Sequence, residues 1–444
     1  MDIYSEVKQY RKVHIRYRIV FMLFIFSALS YSERSVLSIA GADISNQLSI
    51  SPLMMGYIFS AFGWAYVLGQ VPGGILIDRF GTRRVYSTVI ILWTIFAFLH
   101  IFAAFTTVSL AVFLLLVLRF LIGLAAAPIF PANARVVGEW FPMKERGTAT
   151  AIFSSSQYFS AVLFAPLIGW IAYSFGWQYV FLALGAIGAI CAFDWLRNYH
   201  TPEKHPRIST EERIFIQNGE AKVKEKEERR KELKEGQKQG KMPVLQLLGN
   251  RMIIGIYLSQ YCSTAITYFF LTWFPIYLVT EKQMTVLEVG FISMFPALGA
   301  FIGQLAGGAF SDSLIKKGLS LSRARKIPII VGMVCSMTII GANYTESIVI
   351  VILIMSFAFF GRGFGGLGWA IITETSPKKV AGINGAMFNT FGNVAGITTP
   401  IIIGYILEVT GSFHMALLFI GGNALVAIFS YTFIVGEIKE VEIY

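Results

Sequence analysis

Long apolar runs alternate with short polar breaks along almost the whole chain. A helix needs about 20 mostly apolar residues to cross a bilayer. On that measure the sequence predicts twelve spans. Spans 1 to 6 begin near Arg18, Leu53, Val85, Ser109, Gly147 and Trp177, and spans 7 to 12 near Met252, Val286, Ile327, Ile348, Ala381 and Phe413. One long polar stretch, 200–250, interrupts the series. It contains EKEERRKELKEGQKQGK, which mixes both signs at helix-compatible spacing. Such a stretch reads as a solvated linker, part helix and part disordered, with a regulatory surface as the alternative. The expected fold class is an all-α polytopic membrane protein with two six-helix bundles, 18–197 and 251–435. A segment 1–17, the linker 198–250 and a tail 436–444 complete the chain.

Charge in the breaks adds orientation. Lys8, Arg11, Lys12, Arg16 and Arg18 precede span 1, and Arg79, Arg83 and Arg84 follow span 2. Lys144 and Arg146 follow span 4, five basic residues from Lys316 to Lys326 follow span 8, and Lys378 and Lys379 follow span 10. The opposite breaks, at 42–52, 106–108, 173–176, 342–347 and 408–412, contain no lysine or arginine, and Lys282 alone departs from the asymmetry. The positive-inside rule then predicts both termini in the cytoplasm. It also accounts for a net charge of +11, so no nucleic-acid partner is expected. Only 14% of the residues are charged and the mean hydropathy is +0.63, against about 25% charged in soluble domains. The basic N-terminus leads into an apolar segment that lacks a small-residue cleavage site, so a retained first span is expected. Cys191, Cys262 and Cys335 lie in separate apolar runs and read as packing residues. GRGFGG at 361–366 falls inside span 10 with no soluble strand before it, and reads as packing glycine. With no metal-ligand cluster or nucleophile triad in the sequence, neither a cofactor nor an enzymatic activity is expected.

The two halves resemble one another. Gly74 and Asp78 in GGILIDRFGTRR match Gly308 and Asp312 in GGAFSDSLIKKG at an offset of 234. Gly147, Gly169 and Gly176 match Gly382, Gly404 and Gly411 at an offset of 235. A constant offset signals duplication, as in transporters whose halves rock around a site at mid-depth. The paired aspartates suggest a latch that holds one conformation and breaks in the other. Asp78, Arg79 and Arg83 would form one side; Glu139 and Arg146, opposite Asp312, are candidates for the other.

Two charges lie at membrane depth. In SYSERSVLSIAG, 30–41, Glu33 and Arg34 are adjacent, and each costs about 2.5–3.5 kcal/mol there. Adjacent helix residues do not share a face, so the two can act separately. Arg34 offers a planar fork for a carboxylate in a central cleft. Glu33 can face span 4 and Arg119, either as a proton-sensitive switch or as a fixed staple between helices. Tyr66, Gln157, Gln260, Trp369, Asn389 and Asn393 are polar or amphipathic groups in apolar runs. They suit a hydroxylated ligand, or interhelical hydrogen bonding. His100 and His414 are expected at the outer interface, Asp194 at the inner one, and Glu374 as a surface partner of Lys378.

These motifs carry a family resemblance. GGILIDRFGTRR is similar to the loop 2–3 signature of the major facilitator superfamily. FSAFGWAYVLGQVPGG, RFLIGLAAAPIFPANARVVGEWFP, FLTWFPIYL and FNTFGNVAGI resemble the anion:cation symporters, and most closely the proton-coupled glucarate/galactarate transporters. The resemblance implies the twelve-helix major facilitator fold, a monomer in a bacterial inner membrane, and import of a sugar acid with protons by alternating access. It marks Tyr31, Arg34, Tyr66, Gln157, Gln260, Trp369 and Asn389 as substrate contacts, with Asn393 beside them. Tyr31, Ser32, Glu33 and Arg34 match a tyrosine–x–acid–arginine motif whose acid is usually aspartate. Where the family commonly reads G-L-x-E-A-P this chain has GLAAAP, with Ala126 in the glutamate position, which implies weakened proton coupling. Galactonate or hexuronate symport, organic-anion exchange and a non-transporting membrane sensor are the alternatives.

Overall fold

A computed structural model describes residues 15–216, 243–377 and 380–441 of the protein. The charged core of the linker, the first basic residues, and Lys378 and Lys379 lie outside the described residues. Among the described residues, eleven helices are long and apolar enough to span a membrane, and a bent pair makes a twelfth. Spans 1 to 6 are Ile15–Ile39, Pro52–Phe80, Thr82–Phe105, Val108–Trp140, Glu145–Phe175 and Trp177–Asn198. Spans 8 to 12 are Val286–Lys316, Leu321–Tyr344, Ile348–Thr375, Gly382–Thr410 and His414–Ile434. Span 7 is Arg251–Thr272 continued by Phe274–Thr280 after a 47° bend, where Pro275 sits at the start of the second piece because its missing N–H suits a first turn. Span 9 starts six residues before the expected Ile327. Ser320 caps it by accepting from the Arg323 amide, so a polar helical turn precedes the apolar run.

Breaks in spans 4 and 10 have local causes. Span 4 is interrupted at Ala127 and Pro128. In span 10 the α-helix yields to a 3₁₀ turn at Phe364–Gly366 before resuming at Leu367. The glycines there serve close packing, as expected of GRGFGG. A Cβ on Gly363 would meet the Ala300 carbonyl of span 8 at 2.5 Å, and one on Gly361 would clash with span 9 at Gly332.

The duplication is visible in how the halves meet. At the end away from the basic loops, a Cβ on Gly56 of span 2 would lie 2.6 Å from the Pro400 carbonyl of span 11. In the same contact shifted by the repeat, a Cβ on Gly290 of span 8 would lie 2.7 Å from the Ala165 carbonyl of span 5. Gly404 against Pro52 and Gly169 against Val286 form a second matched pair, where a Cβ on each glycine would lie 2.5 and 2.8 Å from the facing carbonyl. Gly176 and Gly411, which end spans 5 and 11, both have positive φ, 104° and 67°. Each repeat-related glycine pair therefore does one job twice. The seal also includes Ser38 Oγ donating to the Thr272 carbonyl at 2.8 Å and an edge-on contact of Phe59 with Trp273.

At the basic end, beyond Gln70 and Tyr158, the ion pairs of the described residues stay within one half. Arg16 pairs with Glu145 at 3.0 Å and Glu212 at 3.4 Å, and Arg18 with Asp194 as expected of an interfacial residue. Arg325 pairs with Glu374 and Asp312, so the partner of Glu374 is Arg325 of span 9. The tail is docked: the Ile438 amide donates to Ser322 Oγ, the Val441 amide to the Thr375 carbonyl, and both side chains are buried. Among the described residues, the close contacts between the halves gather at the end away from the basic loops, and the ion pairs at the basic end stay within a half.

Candidate functional site

Span 1 presents its two charges in different directions. Glu33 points into the first half, where Arg119 Nη1 of span 4 donates to both carboxylate oxygens at 3.0 and 3.2 Å. The pair is nearly inaccessible, 2% and 0% exposed. Low-dielectric burial makes such a pair costly to break. His100, expected at the interface, is instead fully buried. Its ring stacks on Phe181 at 4.5 Å, its Nδ1 meets the Phe96 carbonyl, and it lies within electrostatic reach of Glu33 and Arg119.

Arg34 points the other way. Its guanidinium lies over the rings of Phe62, Tyr31 and Tyr66, at 4.3, 4.7 and 5.2 Å. Cation–π contacts hold such a cation without neutralising it. Its Nε has no hydrogen-bond partner, and no carboxylate among the described residues comes within ion-pair distance. Arg34, Tyr31, Tyr66 and Ala126 line one recess of about 230 Å³. A larger cavity of about 770 Å³, open space included, lies between the halves beneath the sealed end, with Tyr31, Gln157, Thr267 and Phe359 in its wall.

The expected second-half contacts, Gln260, Trp369, Asn389 and Asn393, line neither of these two spaces. Gln260 packs against Gly368 and Gly392. Asn389 Nδ2 donates to Gln70 Oε1 across the halves at 3.4 Å, and Asn393 Nδ2 donates to the Asn389 carbonyl at 3.0 Å. Trp369 meets Phe388 edge-on at 4.9 Å and is 47% exposed, which leaves much of its ring free. Tyr158 hydroxyl bonds to Gln304, a second bridge between the halves. Gln70, Tyr158, Gln304 and Tyr268 were not distinguished by the sequence pattern. Tyr268 lies within electrostatic reach of Arg34.

The latch residues sit differently from expectation. Asp78 accepts from Arg135 of its own half at 2.5 Å, and Asp312 from Arg325 of its own half at 3.5 Å. Glu139 accepts from Thr82, Arg135 and the Tyr199 hydroxyl. Arg146 donates to the Gly138 and Phe141 carbonyls, Arg83 to the Leu196 carbonyl, and Arg79 lies over the Phe80 ring. None of these reaches across to the other half. Each of these charges is satisfied within its own half.

Two six-helix halves that meet closely at one end around a polar centre define a membrane transporter that works by alternating access. The family model of the Major Facilitator Superfamily matches residues 23–400, and the chain belongs to that superfamily; it is a transporter and not an enzyme. It is 50% identical to the probable galactarate/D-glucarate transporter GudP of Bacillus subtilis, over 99% of this chain and 96% of the relative. It is 48% identical to the probable galactarate/D-glucarate transporter GarP of Escherichia coli K12, over 100% and 99%, and 37% to the D-galactonate transporter of Escherichia coli O6:H1, over 96% and 97%. Among solved structures, a D-xylose-proton symporter matches with TM-score 0.75 at 15% identity, over 96% of this chain and 99% of that chain. An inward-facing bacterial homologue of the lysosomal transporter Spinster matches with TM-score 0.70 at 16% identity, over 95% and 94%. At that identity the structures speak for the fold.

Proposed function

We propose that the protein imports a six-carbon sugar diacid of the galactarate/glucarate class across a bacterial inner membrane, as a monomer with both termini in the cytoplasm, and that the basic, open end faces inward. The observation that carries the substrate assignment is Arg34, a guanidinium at membrane depth that faces the recess without an acidic partner. Full-length likeness to galactarate/glucarate carriers supports the diacid over a monoacid. Tyr31, Tyr66, Gln157, Gln260, Asn389 and Asn393 would bond the hydroxyls, and Trp369 would cover the carbon chain.

Proton coupling would run through Glu33. Protonation there would release Arg119, and His100 is the neighbouring titratable group. Importing a dianion against the membrane potential costs about 2.3 kcal/mol per net charge per 100 mV, so more than two protons must accompany it for inward driving by the potential. With Ala126 in a position where relatives commonly carry glutamate, fewer protons move, and exchange dominates over uphill accumulation. Asp78 and Asp312 would exchange partners between halves when the basic end closes.

A thermal-shift panel of galactarate, glucarate, galactonate, glucuronate and phosphate on purified protein tests the assignment. Galactarate or glucarate should stabilise most, and Arg34→Ala should abolish the shift. An unchanged shift in that variant removes Arg34 from the site.

A further inference from the structure

A second arginine lies at membrane depth. Arg362 occupies the last turn of the first helical piece of span 10, just before the 3₁₀ break at Phe364–Gly366. Gly361 on one side packs against span 9 and Gly363 on the other against span 8. This leaves the Arg362 side chain directed at span 7, where its Nε donates to the Ser263 carbonyl at 3.4 Å. That is its one hydrogen bond among the described residues, and no carboxylate comes within ion-pair distance. The acidic residues of the second half, Glu281, Glu288, Asp312, Glu346, Glu374 and Glu408, all stand near span ends. An unpaired cation at this depth is expensive unless it faces water or an anion.

Its surroundings are polar and unsatisfied. Ser263 Oγ and Thr264 Oγ1 are buried without hydrogen-bond partners. Ser263 Oγ would lie 2.5 Å from a Cβ on Gly365, and Thr264 Oγ1 3.2 Å from one on Gly392, so the missing side chains at these glycines leave room for the hydroxyls. Tyr158 of the first half is within electrostatic reach of both Arg362 and Tyr31, and Tyr31 adjoins Arg34. One turn on either side, Phe359 of span 10 and Thr267 of span 7 line the central cavity. Among the described residues, each half thus carries at membrane depth a guanidinium without an acidic partner, Arg34 in the first and Arg362 in the second.

We propose that Arg362 binds the second carboxylate of the substrate, at the end opposite the one held by Arg34, with Ser263 and Thr264 completing that subsite. The inference rests on the diacid reading above and deepens it. A dicarboxylate would join the two halves through its two ends, while a monocarboxylate would engage only one guanidinium.

The test is a cycle between protein and ligand. Affinities of galactarate and of its monomethyl ester, which is the same length with one charge masked, are measured on the full-length protein and on Arg362→Gln. The wild type should prefer the diacid by roughly 10- to 100-fold, the range for a lost charge-assisted hydrogen-bond set. The preference should vanish in Arg362→Gln, through loss of diacid binding with the ester little changed. Arg362→Lys, which keeps the charge but not the fork, should retain part of it. Ligand-free melting of each variant reports folding separately. Undiminished discrimination in Arg362→Gln, or equal loss for both ligands, overturns the inference while leaving Arg34 and the diacid reading intact. Failure of the wild type to bind galactarate or glucarate overturns the functional reading itself, and this inference with it.

Discussion

Glu33 and Arg119 are locked by two hydrogen bonds in a site closed to water, so changing either one tests switch against staple. Glu33→Gln keeps the shape and removes the charge. If the pair is the proton-sensitive element, substrate counterflow should persist while uptake driven by a pH gradient is lost. A staple predicts the reverse emphasis: loss of stability by up to about 3–5 kcal/mol for an orphaned buried charge, with both transport modes falling together. Ala126 gives a complementary gain-of-function test, because its side chain lines the recess beside Arg34. Ala126→Glu should raise accumulation driven by a pH gradient in proteoliposomes, and full uphill uptake already present in the unmodified protein would refute a role for position 126. The depth cost of charge made Glu33, Arg34 and Arg119 legible in the sequence. Arg362 sits at comparable depth, but glycines at 361 and 363 give its run a packing signature that hides the charge. Gln70, Tyr158 and Gln304 carry no such signal, since one amide or phenol in an apolar run becomes informative only when its partner across the halves is known.

Spans were the most legible elements, because twenty apolar residues in a row leave few alternatives. Their ends were less so: Ser320 caps a polar turn ahead of the apolar part of span 9, which hydropathy alone does not register. The repeat offsets, by contrast, pointed to specific mechanics. Gly56, Gly169, Gly290 and Gly404 are among the places where backbones of opposite halves come close, and these contacts close the end away from the basic loops. Adding bulk there should therefore act on conformation more than on folding. Gly404→Leu cannot fit against the Pro52 carbonyl 2.5 Å from its Cβ. It should shift the population toward a state open at that end, read as faster labelling of a cysteine placed at Ser38 by an impermeant thiol reagent added outside. Labelling no faster than in the parent would show that this contact does not set the equilibrium.

At the scale of the molecule, function requires the seal to open and the basic end to close in turn. Among the described residues, Asp78 and Asp312 each pair within their own half, and no ion pair there joins the two halves. Sequence spacing could name these residues but not their partners, because partner choice changes with conformation and one sequence encodes both. The geometry of the seal permits a direct test. Gly169 and Gly290 face each other across spans 5 and 8, with a Cβ on the first only 2.9 Å from the Cα of the second. A disulfide needs Cα atoms about 4.4–6.8 Å apart, and these two backbones lie too close for one, so the crosslink belongs at Leu53 and Glu408, where the Leu53 amide of span 2 donates to the Glu408 carboxylate of span 11 at 3.0 Å. Leu53→Cys/Glu408→Cys protein bridged by a short bifunctional methanethiosulfonate should hold the seal shut: transport should stop, reduction should restore it, and galactarate should still produce a thermal shift because the site remains reachable from the basic end. Continued transport by the fully crosslinked protein would mean that substrate passes without these spans separating, and alternating access around this cleft would have to be abandoned.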